Sequence, residues 1–65
     1  MITITIKNPL AVQQRVQALP HTDAWMQGDR YGEVRVVESQ GTVIYVLMDR
    51  SGRCRKFLVS DLLAI

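Results

Sequence analysis

The chain has 65 residues, 48% of them apolar and 22% charged, with a formal net charge of +2. That length allows one domain, residues 1–65, burying roughly 60% of its unfolded surface, and the composition excludes a disordered chain. One cysteine (Cys54) and one histidine (His21) exclude an internal disulfide and a four-ligand zinc site within one chain.

The longest apolar run, Val43–Met48, is far too short to span a bilayer, so no membrane role is expected. The opening MITITIK lacks a basic stretch followed by a long apolar one, so no secretion signal is expected. A lone free cysteine fits a reducing cytoplasm. A mildly basic balance names no partner by itself; the placement of the charges matters more.

Ile2, Ile4 and Ile6 alternate with Thr3, Thr5 and Lys7, the period-2 pattern of a half-buried strand. Asn8-Pro9 ends it and suits a helix start. In LAVQQRVQAL, Val12, Val16 and Leu19 form one apolar stripe, which predicts a helix over Pro9–Leu19 packed across a barrel end. Pro20 stops it, and His21–Trp25 is a connector. Met26-Gln27-Gly28-Asp29 reads as a short edge segment entering a turn.

Tyr31–Glu38 alternates again around Val34 and Val36. Ser39-Gln40-Gly41 is a turn. Thr42–Met48 is almost wholly apolar and β-branched, which predicts the central buried strand. Asp49-Arg50-Ser51-Gly52 is a loop with glycine where a left-handed residue is needed. Arg53–Val59 returns as a third strand. Cys54 and Phe57 cannot both face inward without a bulge near Arg55-Lys56. Ser60-Asp61 predicts a 3₁₀ turn before a closing strand over Leu62–Ile65.

The arrangement Phe57-Leu58-Val59, then Ser60-Asp61-Leu62, then Leu63-Ala64-Ile65 resembles the end of SH3-like barrels. Gly28-Asp29-Arg30-Tyr31-Gly32-Glu33-Val34 is similar to the opening of a KOW segment, although its glycines stand closer together. The likeness covers roughly the last forty residues and leaves out Ile2–Leu19. It implies a small closed barrel of a kind that often touches RNA, but a fold does not license a function. The expected architecture is therefore α+β: a strand and one helix, then an antiparallel meander closing into a small SH3-like barrel. The expected core is Ile2, Ile4, Ile6, Val12, Val16, Leu19, Trp25, Val34, Val36, Val43, Tyr45, Leu47, Phe57, Leu58 and Leu62.

Arg50, Arg53, Arg55 and Lys56 cluster at one hairpin end, with Arg30 and Arg35 on the preceding segment. Arginine gives planar, multi-donor contacts to phosphate, and residues two apart on a strand share a face. Tyr31, flanked by Arg30 and Gly32, is the aromatic best placed to stack on a base. The blander account is that these charges keep a sheet edge from pairing with other chains. Catalysis by Cys54 with His21 as base needs an exposed thiol, whereas the strand parity points it inward. No phosphate-cradling glycine loop, metal-ligand spacing or paired carboxylates are present, so neither cofactor nor enzyme activity is expected. Two functions are consistent with this pattern. One is a small cytoplasmic DNA- or RNA-binding protein using Arg30, Tyr31, Arg35, Arg50, Arg53, Arg55 and Lys56. The other is a non-catalytic module, of the accessory or mobile-element type, that binds a protein partner or forms a homodimer.

Overall fold

A computed structural model of the protein describes residues 10–65. The predicted strand at Ile2–Ile6, its three core isoleucines and the Asn8-Pro9 helix start lie outside the described residues. The elements are β1 (Arg15–Ala18), α1 (Asp23–Met26), β2 (Tyr31–Glu38), β3 (Val43–Met48), β4 (Cys54–Leu58) and β5 (Leu62–Ala64), with short turns at Ser39–Gly41 and Val59–Asp61. The strands form one antiparallel sheet in the order β4-β3-β2-β1-β5. Among the described residues no helix is long and apolar enough to cross a membrane.

The helix expected over Pro9–Leu19 is replaced, within the described residues, by β1. Gln13 has φ 78°, which ends any helix there. Val12, the first residue of the apolar stripe, is 55% exposed. The segment instead alternates, with Val16 and Ala18 inward and Arg15 and Gln17 outward. Its backbone fills the gap between β2 and β5. Outside the strand itself, Gln13 N–H donates to the Val34 carbonyl at 2.7 Å and Val34 N–H to Gln14 at 2.9 Å. A short isolated helix is marginal, and pairing two sheet edges outweighs it.

The α-helix found among the described residues, α1, falls where a connector and an edge segment were expected. Thr22 caps it, its Oγ1 accepting from Trp25 N–H at 3.2 Å and donating to the Leu19 carbonyl at 2.7 Å. Gly28, at φ 93°, ends it, and Asp29 N–H closes back on the Ala24 carbonyl at 2.8 Å. That stop sets the position of Asp29.

The sheet is open, so the expected barrel closure is corrected as well. The turn Val59–Asp61 carries the chain from β4 to β5 and bonds both sides of the gap. Val59 N–H donates to Thr42 at 2.9 Å, and Leu19 N–H donates to Asp61 at 3.0 Å. β5 then pairs with β1 and not with β4. Between β4 and α1 lies a groove of about 560 Å³, lined by residues of the His21–Ala24 and Arg55–Leu58 segments and by Asp61.

The core is Leu10, Val16, Ala18, Ala24, Val34, Ile44, Val46, Met48, Phe57 and Leu62. β3 therefore turns the opposite way from the expectation: Ile44, Val46 and Met48 face inward, and Val43, Tyr45 and Leu47 outward. Val36 and Leu58, also expected inside, are 42% and 56% exposed, and Trp25 and Leu19 are half-buried. Cys54 lies exposed opposite Leu47, so β4 needs no bulge at Arg55-Lys56. The bulge is on β2, where the register shifts between Val34 and Val36.

Gly32 sits where β2 crosses β3. A Cβ there would stand 2.6 Å from the Leu47 carbonyl oxygen and 2.6 Å from Val46 Cγ1. Gly32→Ala is expected to cost about 1–3 kcal/mol, because the crowding atom is backbone held in the β2–β3 ladder. Urea unfolding measures this; an unchanged midpoint would show that the strands approach less closely.

Candidate nucleic-acid interface

The residue that organises the candidate site is Asp29. It is 3% exposed, directly after the Gly28 helix stop. Its Oδ2 accepts from Arg55 Nε at 2.9 Å and from Ser51 Oγ at 2.9 Å. Arg55 Nη2 also donates to Gln27 Oε1 at 2.5 Å. Ser51 Oγ in turn accepts from Arg53 N–H at 3.2 Å. One buried carboxylate thus ties the Gln27–Asp29 loop to the β3–β4 hairpin. Burial pushes the Asp29 carboxyl up. The hydrogen bonds from Arg55 and Ser51 and the guanidinium charge outweigh burial, and it titrates below the usual carboxylate range.

A second pair lies on the surface of the same end. Arg15 Nη1 donates to Asp49 Oδ1 at 2.9 Å, and Nη2 donates to Oδ2. Hydrogen bonding from Arg15 holds the Asp49 carboxyl down against desolvation, and the same pair raises the Arg15 guanidinium. Both side chains are about half exposed, so the pair is screened by solvent and its main effect is to cancel the Asp49 charge.

The seven candidate residues divide accordingly. Arg30, Tyr31, Arg50 and Arg53 gather at one end of the sheet. Arg30 precedes β2, Asp49 N–H bonds the Tyr31 carbonyl at 3.0 Å, and the Arg50 guanidinium lies against Gly28. Arg30 also stacks on Trp25, 4.2 Å from its ring centroid. All four are exposed. Arg55 is held by Asp29 and is not free for a ligand. Lys56 stands mid-strand on β4 opposite Tyr45, and Arg35 lies at the β2 bulge, both away from that end. Tyr45 is half-buried on the outward face.

With Asp29 set against Arg55 and Asp49 against Arg15, Arg30, Arg50 and Arg53 have no carboxylate partner among the described residues. Their charges remain available at one end of the sheet. The sequence reading missed Asp29, Ser51 and Arg15 as parts of this corner. The Gly-Asp pair after a predicted segment was the available signal, but its partners lie more than twenty residues away in the chain. His21 pairs with Asp61, Nε2 to Oδ1 at 2.9 Å, and Cys54 lies on the outward sheet face with Leu47 as its cross-strand neighbour. Compared with known proteins, the chain matches no protein family, no curated protein and no solved structure.

Proposed function

We propose that this chain is a small, non-catalytic nucleic-acid-binding protein that holds phosphates through Arg30, Arg50 and Arg53, with Tyr31 beside them as a stacking surface. The observation that carries this reading is the pairing of Asp29 and Asp49 with other arginines, which leaves Arg30, Arg50 and Arg53 exposed and without a carboxylate partner among the described residues at one end of the sheet. Lys56 and Arg35 would add long-range attraction, and Arg55 acts by positioning the hairpin. The likeness of Gly28-Asp29-Arg30 to a KOW opening makes RNA the first ligand to try. The lone thiol suits a cytoplasmic setting.

Fluorescence anisotropy with labelled single-stranded RNA, single-stranded DNA and duplex DNA tests the reading. Affinity should fall steeply between about 50 mM and about 200 mM salt. Arg50→Ala with Arg53→Ala should weaken binding to all sequences alike and reduce the salt slope by about two for each copy bound. No binding at the lower salt, or a double variant that binds like the parent, would overturn it.

A further inference from the structure

The outward face of β2, β3 and β4 is apolar along its middle. Val43, Tyr45 and Leu47 line β3, flanked by Val36 on β2 and by Leu58 and Cys54 on β4. Small domains seldom leave so apolar a sheet face unpaired, and this chain has a small core to hold it together. Its charges are laid out unevenly from side to side. Glu33 and Glu38 stand on the β2 side, and Lys56 on the β4 side. Arg15, opposite Glu33 on β1, is paired with Asp49, and Arg35 lies in the bulge beside Val36, so the β2 side stays net negative.

We infer that this face packs against the same face of a second copy of the chain, about a two-fold axis parallel to the strands. Such an axis lays β3 on β3 and puts β4 of each copy over β2 of the other, in the aligned mode of sheet packing. Lys56 then stands over Val36 of the second copy, because both are opposite Tyr45 in the ladder. Glu33 and Glu38 lie two register steps to either side, about 7 Å along the strand, within the span of a lysine and a glutamate side chain. A two-fold axis across the strands fails. It sets β2 on β2 and brings Glu33 of one copy to Glu38 of the other, and Lys56 to Lys56, where like charges repel. The layout is self-complementary in only one of the two arrangements.

Sedimentation equilibrium of the full chain, from about 10 μM to about 1 mM, should show a monomer–dimer equilibrium within that range. Lys56→Glu should raise the dissociation constant at least about tenfold. Glu33→Lys with Glu38→Lys should do the same, as should the exposed Glu38→Lys alone to a lesser degree. Mixing Lys56→Glu with the double glutamate variant in equal amounts should restore a dimer, since every repulsive contact then becomes attractive. Circular dichroism checks that each variant is folded. A full chain that stays monomeric throughout would overturn the inference. So would a dimer indifferent to Lys56→Glu, or an equimolar mixture that stays monomeric.

Discussion

Asp29→Ala is expected to lower the unfolding free energy by about 2–4 kcal/mol, a large share of what a domain this size possesses. The loss comes less from the missing attraction than from what stays behind. Arg55 keeps its charge with its side chain only 22% exposed, and Ser51 loses its acceptor. That residual exposure puts the figure below the cost of stranding a fully buried charge. Asp29→Asn keeps an oxygen for Ser51 and should cost less, about 1–2 kcal/mol. Urea unfolding at neutral pH measures both, and pairing each with Arg55→Met in a double-mutant cycle isolates the coupling. The effect is also pH-dependent in a definite direction. The folded carboxyl ionises more readily than in the unfolded chain, where it titrates near pH 3.9. Its contribution is full above that value and disappears as pH falls through the lower folded value. Wild type and Asp29→Asn should therefore converge in acid. An Asp29→Ala chain that unfolds with wild-type chain at neutral pH would show that the two loops are joined by something else.

The meander was legible because its turns are chemically marked. Ser39-Gln40-Gly41 and the glycine at 52 take left-handed backbone, and Val34, Phe57 and Leu62 face the core as their spacing suggests. The parity of β3 was not legible. Val43–Met48 is apolar at every position, so period-2 reading has nothing to count. Only the neighbours decide: Ile44 pairs with buried Phe57, and Tyr45 with exposed Lys56. The bulge expected on β4 rested on Cys54 and Phe57 both facing inward, whereas Cys54 lies exposed opposite Leu47 and only Phe57 is buried. Arg15–Ala18 failed for another reason. Val16 fits a helical stripe and a strand alternation equally well, and long-range pairing with Gly32 and Ala64 settles it. The corner itself was half legible. The arginines were visible as a run, but which of them a carboxylate already holds depends on contacts between distant segments.

Glu33→Lys with Glu38→Lys should weaken nucleic-acid binding at least about tenfold, even though it makes the chain more positive. The reason is geometric. A two-fold axis parallel to the strands preserves position along them, so the two Arg30–Arg50–Arg53 corners of a dimer lie at the same end. A strand long enough to touch both is held as a bivalent ligand, and the second contact is made at high effective concentration. Loss of the dimer removes that gain, and two lysines added on β2, one opposite Arg15 and one at the far end, do not supply a second corner. The salt dependence carries the same signature. With roughly three phosphates per copy, the slope of log affinity against log salt should be near −5 for the dimer on duplex DNA and about half that for the variant. Simple charge attraction predicts the reverse order, with the more positive chain binding tighter and the steeper slope belonging to it. An anisotropy titration at a protein concentration where the parent is dimeric therefore separates two-corner binding from diffuse attraction. Tighter binding by the double variant would rule out the two-corner arrangement, while the test of Arg50 and Arg53 on the monomer would still stand.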